Sequence, residues 1–244
     1  MIDQQTTKSV VLMIAATLLM GSASAKADFA FSHNGSEYQV ITSAKPWDSA
    51  VADARTKSVD GASCYLARID DAAENNAIFS QLSSNIPASD FSSTVAPDGG
   101  GPNEDSAYVW LGGNDISSEG AWVWEDNGAQ FWQGDVTGGP VGGLYNNWGT
   151  EPDNFNGVQN ALGISLNGWP LGIPGFTLGS ASQWNDLNQN NSLYYIIECD
   201  GVTPEPPVPP VPNVATPVPT SPMWLLGIMA GLLSLVGIRK LRKA

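Results

Sequence analysis

The stretch Asn146-Asn147-Trp148-Gly149-Thr150-Glu151-Pro152-Asp153-Asn154 sets two acids on either side of a proline, in a region rich in Gly and Asn. Cis peptides are rare except before proline, so Pro152 makes a bent linkage between the two acids accessible. No base in the surrounding chain answers their charge: no Lys or Arg occurs between Arg68 and Arg239, while acids continue throughout. The acids of this region are therefore either solvated, the default for most of them, or they hold a cation. The same imbalance, a net charge of -14 on 244 residues, argues against a nucleic-acid partner, because phosphates need a basic face.

Outward from this stretch, residues 28–201 read as one domain, a length that suits a single core. Phe29-Ala30-Phe31 and Tyr38-Gln39-Val40-Ile41 flank Asn34-Gly35, which predicts a hairpin. Trp47, Ala50, Val51 and Ala54 fall at helical spacing. A short strand is expected over Tyr65–Ile69, and then a second helix, opened by Asp71 and Glu74 at capping-box spacing and carrying Ile78, Phe79 and Leu82 on its apolar face. Ser83–Ser106 reads as a long loop. Short strands are expected at 108–111, 122–124, 162–164, 183–187 and 194–199, separated by long Gly/Asn-rich loops. Two helices followed by a small antiparallel sheet with a long loop region make an α+β fold.

Both ends read as processing signals. Lys8, the apolar run Val10–Met20 and the small residues Ala23, Ala25 and Ala27 predict a signal peptide over 1–27, with an uncleaved anchor as the alternative. Residues 202–222 form a Pro/Val/Thr tract, expected to run extended as a stiff spacer. Residues 223–244 carry the apolar run Met223–Ile238 and the basic cluster Arg239-Lys240-Leu241-Arg242-Lys243. This order resembles the PEP-CTERM class of bacterial sorting signals handled by exosortases, with Val218-Pro-Thr-Ser-Pro222 in place of the usual motif. The resemblance implies export across the inner membrane of a Gram-negative cell, transient residence there through the C-terminal segment, and release to the cell surface or extracellular matrix. A plain transmembrane anchor is the alternative.

The domain itself resembles a C-type lectin-like domain. The resemblance rests on Trp47 with Ala50, Leu66-Ala67-Arg68-Ile69 with Glu74-Asn75, and Trp110-Leu111-Gly112-Gly113. It continues through Glu119-Gly120-Ala121-Trp122-Val123-Trp124, Asn147-Trp148, Glu151-Pro152-Asp153, Trp184-Asn185-Asp186 and Tyr195-Ile196-Ile197-Glu198, and so covers most of 29–200. It implies a double-looped α+β domain with its termini together and a long loop region bearing a calcium and ligand site. It also implies that Glu151, Asp153, Gln159, Asn185 and Asp186 hold Ca2+, an ion that takes several oxygen ligands. Sugar-binding members carry Asn where Asp153 stands and Glu where Gln159 stands. The two exchanges run in opposite senses and keep the number of carboxylates. An ionised Asp153 cannot donate a hydrogen bond, whereas Gln159 can, so the pattern of donors and acceptors is rearranged. A second, weaker site is implied at Asp115, Glu119, Asn154 and Asn160, with Gln159 shared.

An exported protein with two Cys favours one disulfide. The family ties its first helix to its last strand. Cys64 and Cys199 are displaced from that pattern but lie near the same two regions, and are expected to pair. Of the nine Trp, six sit in core signatures; Trp169, in Asn167-Gly168-Trp169-Pro170, is the expected ligand-facing aromatic. The single His, His33, stands beside the expected turn with no second His nearby for a zinc site, and no convincing nucleophile-His-acid set is found. Glu151 and Asp153 are expected to converge on one ion rather than flank a glycosidic bond, so an enzyme is not expected. The leading expectation is calcium-dependent binding of a carbohydrate or glycoconjugate, for adhesion or recognition. The alternative is a structural or protein-binding domain in which calcium only orders loops.

Overall fold

The Asn34-Gly35 turn opens the molecule, with both residues at positive φ (48° and 93°), a pairing that Asn and Gly accept most readily. It joins β1 (Phe29–His33) to β2 (Ser36–Lys45), antiparallel in the register Phe29↔Val40 to His33↔Ser36. The computed structural model describes residues 27–97, 105–170 and 177–200. The expected signal peptide up to residue 26, the Pro-rich spacer and the sorting or transmembrane segment fall outside those residues. Among the described residues no helix is long and apolar enough to cross a membrane.

Helix α1 (Trp47–Ala54) follows Pro46 and buries Trp47, Ala50 and Ala54, and the Trp47 indole donates to Leu111 O (2.9 Å). A ribbon of β3 (Ser58–Val59) and β4 (Ala62–Leu66) precedes α2 (Ala72–Asn85). Asp71 caps α2 by accepting from Glu74 N (2.8 Å), while Glu74 reaches back to Asp70 N (2.6 Å), one residue earlier than in the usual capping box. The strand expected over 65–69 stops at Leu66. Beyond it the backbone is engaged piecemeal: Ala67 N donates to Ile196 O, and Arg68 N to the Glu198 carboxylate. The expected loop 83–106 is also partly ordered. Helix α2 runs on to Asn85 and ends just before Pro87, a 3-10 turn spans Ala88–Ser93, and β5 (Val95–Ala96) pairs with β6 (Ser106–Asn114).

β6 is buried at all nine positions and is the axis of the sheet. β7 (Ala121–Trp124), β8 (Gln130–Gln133) and β9 (Gly139–Pro140) form an antiparallel meander on one side. β10 (Ala161–Ser165) pairs with both β6 and β11 (Trp184–Leu187). The last strand, β12 (Leu193–Cys199), runs antiparallel to β2 and β4 but parallel to β6, at Tyr194↔Val109 and Tyr195↔Trp110. The sheet is therefore mixed rather than wholly antiparallel. β12 returns along β2 to close the domain, and that direction happens to match β6. The fold class is α+β.

Two features fix the frame around the long loops. An aromatic cluster packs Trp124 on Phe131 (ring centroids 4.5 Å) and Trp122 on Trp148 (4.9 Å), with Trp184 edge-on to Trp124 (5.8 Å). Trp184 is also held to α2, its indole donating to Asn75 Oδ1 (2.9 Å). The second feature is the disulfide Cys64–Cys199, which joins directly opposed residues of β4 and β12 across 135 positions of sequence. A cross-link closing so long a loop contributes on the order of 4–5 kcal/mol in the chain-entropy model. Urea unfolding of the full chain with Cys64→Ser and Cys199→Ser should show a stability loss approaching that value; a loss under about 1 kcal/mol would show that the bridge constrains little.

Candidate cation and ligand site

The loop around Trp148 is fastened to β11 and to Leu178 by main-chain bonds. Trp184 N donates to Asn147 O (2.8 Å), Gly149 N to Trp184 O (3.0 Å), and Thr150 N to Leu178 O (2.6 Å). This anchoring delivers Glu151 beside Asp186. The Glu151–Pro152 bond is cis. Glu151, Asp153 and Asp186 each place a carboxylate oxygen within 4.8 Å of the others, with Glu151 and Asp186 buried and Asp153 exposed.

Neutral donors steady each acid. The Trp169 indole donates to Glu151 Oε1 (3.2 Å). Asp153 N and Asn154 N donate to the two oxygens of Asp186 (3.3 and 2.8 Å), and Phe155 N donates to Asp153 Oδ1 (2.9 Å). Asp186 is 0% exposed. Burial pushes its carboxyl up to about 7, the Asn154 N–H works against the rise, and the charge on Asp153 adds to it. The domain's bases are committed elsewhere: Lys45 and Lys57 to Asp53, Arg55 to Glu125, and Arg68 to Asp70, Asp126 and Asp200.

The amides of the expected set lie around the acids in different ways. Gln159 is buried, and its Oε1 accepts from Phe155 N (2.5 Å), which leaves one lone pair of that oxygen and the NH2 group to meet a cation or ligand. Asn185 is buried too, with its Nδ2 donating to the Tyr108 hydroxyl (3.0 Å). The second expected set is looser. Asp115 is buried, accepts from Gly120 N (2.8 Å), and is pushed up to about 6, first by burial and then by Glu119, whose carboxyl faces it from an exposed position. Asn154 directs Oδ1 to Gln159 N (3.1 Å), and Asn160 takes part through its backbone, bonded to Asp115 N and Leu187 O.

Trp169 is a correction. It does not face a ligand: it is 0% exposed, edge-on to Tyr108 (5.9 Å between centroids) and bonded to Glu151. Two glycines explain its position. A Cβ on Gly149 would lie 2.7 Å from the indole ring, and one on Gly179 would overlap it, so the ring fills the space that both leave. Trp169 and Tyr108 form a floor beneath Glu151 and Asn185. Sequence reading missed this role; the only signal was a Trp opposite two glycines remote in sequence.

The donors gathered here are oxygens, two of the three carboxylates are buried, and one carboxylate is open to solvent. That set suits a hard divalent cation such as Ca2+.

No family model matches the chain. Among curated proteins, halomucin of Haloquadratum walsbyi is 25% identical over 192 residues, covering 76% of this chain and 2% of halomucin's length. Among solved structures, the EPNH mutant of CEL-I aligns at TM-score 0.50 with 17% identity, over 71% of this chain and 95% of that one. The C-type lectin CEL-I from Cucumaria echinata aligns at 0.48 with 18% identity, over 71% and 96%. The fold is C-type lectin-like.

The elevated Asp186 carboxyl has a definite consequence for stability. The folded form holds its proton up to about 7, whereas the ordinary value is 3.8. The stability this group contributes is full below its ordinary value and drains away as pH rises through 7. In a chelator, the melting temperature of the full chain should fall between roughly pH 4 and 7, by about 2–4 °C for each kcal/mol lost. Asp186→Asn should flatten that slope; an equal slope in both proteins would place the effect elsewhere.

Proposed function

We propose that this domain binds carbohydrate through a calcium ion held by Glu151, Asp153 and Asp186, with the amides of Gln159 and Asn185 completing the set. The observation that supports it is the convergence of three carboxylates, two of them buried, within 4.8 Å. When bound, the ion supplies coordination positions for a pair of neighbouring sugar hydroxyls. The protein's own groups do the rest. Asp153, exposed, accepts from a hydroxyl, and the Gln159 NH2 group donates to one. Glu151 is held by Trp169, and Asp186 by two backbone N–H groups, so neither has to reorganise to meet a ligand. The role is binding rather than catalysis. Asp115 and Glu119, with Asn154 and Asn160 nearby, form at most a weaker second calcium site.

In this reading the chain is exported under its signal peptide and forms its disulfide in an oxidising compartment. It is then presented at the surface or in the matrix of a Gram-negative cell, behind the 202–222 spacer and the 223–244 segment. One observation favours a second reading. Asp153, in the loop, and Asp186, on β11, both accept hydrogen bonds from the backbone of the loop after Pro152, so an ion there also orders that loop, and a domain could use calcium for this alone.

A calcium titration of the full chain followed by heat denaturation tests the site. At calcium near one hundred times the dissociation constant, stability should rise by about 2.7 kcal/mol, and Asp153→Ala should abolish most of the rise. Glycan-array binding lost on adding chelator supports the carbohydrate reading. Calcium-dependent melting with no glycan bound supports the second reading instead, and a melting curve indifferent to calcium removes both.

A further inference from the structure

The acids do not stand alone at the rim of the long loops. Beside them lies a small cavity of about 130 Å³, which shares Gln159 with the proposed site. Phe155 and Val158 wall it from the loop, 39% and 43% exposed, and Pro97 also lines it. The remaining walls are the amide residues Asn156, Asn188 and Asn191. Among the described residues no titratable side chain lines it.

The exposure of Phe155 follows from the local backbone. Asn154, Asn156 and Gly157 all take positive φ (50°, 59° and 68°), and this turns the loop outward. Phe155 is nevertheless fixed relative to the acids, because its N–H is bonded to both Asp153 Oδ1 and Gln159 Oε1. The cavity is rich in donors. Gln159 has its carbonyl engaged by Phe155, and Asn188 has its carbonyl engaged by Asn190 N and Nδ2 (3.0 and 3.1 Å). Each has its NH2 group remaining. Asn191 Nδ2 is buried behind the cavity wall, with no hydrogen-bond partner among the described residues.

We propose that this cavity is a second saccharide subsite, and that the ligand of the domain is a neutral oligosaccharide rather than a single sugar. The inference rests on the calcium–carbohydrate reading above. An aromatic ring and an isopropyl group cover the C–H face of a sugar ring, and amide NH2 groups match its hydroxyl and ether oxygens. An anionic sugar would meet the charge of Asp153 and Asp186 next door. The cavity is well below the size of a pocket for a drug-sized molecule, and one ring suits it.

The test is calorimetric titration of the full chain in calcium, using neutral mono-, di- and trisaccharides of glucose, galactose and mannose, with uronate-containing counterparts. The expected result is a neutral di- or trisaccharide bound about tenfold or more tighter than its own monosaccharide, a difference that Phe155→Ala largely erases. Val158→Asp should act in the same direction, and the calcium-dependent rise in melting temperature reports that each variant is folded. Equal affinity for mono- and oligosaccharides, an oligosaccharide advantage that survives Phe155→Ala, or preference for the uronates overturns the subsite and leaves the calcium-dependent binding of sugar standing. Absence of any saccharide binding beside an intact calcium response overturns both.

Discussion

Three carboxylates sharing one point is the constraint from which the rest of the long-loop region follows. Two unit charges some 4–5 Å apart repel by about 3–4 kcal/mol at an effective dielectric near 20, and desolvation of Glu151 and Asp186 adds to that cost. The fold offsets part of it with neutral donors: the Trp169 indole on Glu151, two main-chain N–H groups on Asp186, and one on Asp153. Hydrogen bonds to charged groups contribute about 1.5–3 kcal/mol each, so these donors hold the geometry without neutralising it. Those donors in turn need rigid supports. Trp169 is wedged between Gly149 and Gly179, and the loop is stitched to β11 where Trp148 and Trp184 enter the aromatic cluster. The core beneath the loops is thus the means by which like charges are kept together.

A second convergence of buried acids in the same domain shows the other solution to the problem. Glu74 and Glu198 both lie within hydrogen-bond distance of the Tyr38 hydroxyl (2.5 and 3.1 Å). That hydroxyl has one proton, so one of the two contacts must be donated by a carboxyl group. Burial, and then the charge on Glu74, push Glu198 up to about 9, which keeps it protonated at neutral pH. This cluster is closed, with a proton in place of a counter-ion, and it ties β2, α2 and β12 together. At Asp186 the shift stops near 7, a third acid stays exposed, and the cluster opens to solvent. The contrast separates an acid pair closed on a shared proton from a set that leaves one carboxylate open to solvent.

Much of this was legible in sequence because it is local. The Asn34-Gly35 turn, the Asp71 cap and the short strands each depend on residues a few positions apart. The two acids beside Pro152 were visible for the same reason, and the absence of bases between Arg68 and Arg239 is a property of composition. What was not legible depends on long-range packing. The parallel pairing of β12 with β6 is set by which strands the chain return brings together, not by either strand's own pattern. Trp169 followed by proline in a Gly-rich loop looks like an exposed platform. Only the approach of Gly149 and Gly179, from segments on either side of it, turns it inward. The ordered turn and strand within 83–97 were hidden because Ser, Asp and Pro signal a break without saying how short it is.

The exchange of Asp at 153 and Gln at 159 takes on a concrete meaning in this geometry. A carboxylate at 159 could only accept, and its charge would join three others in one place. The amide accepts from Phe155 N–H with its oxygen and still presents donors from its other end. The same bond fixes Phe155 at the rim, so one side chain faces both the acids and the cavity beside them. At 153 the carboxylate accepts from that same N–H, which closes a turn that an amide oxygen would hold more weakly. The pair of exchanges moves charge from the cavity side of the loop to its tip, leaving, in the proposed reading, neutral donors on the side of the sugar and a carboxylate on the side of the cation.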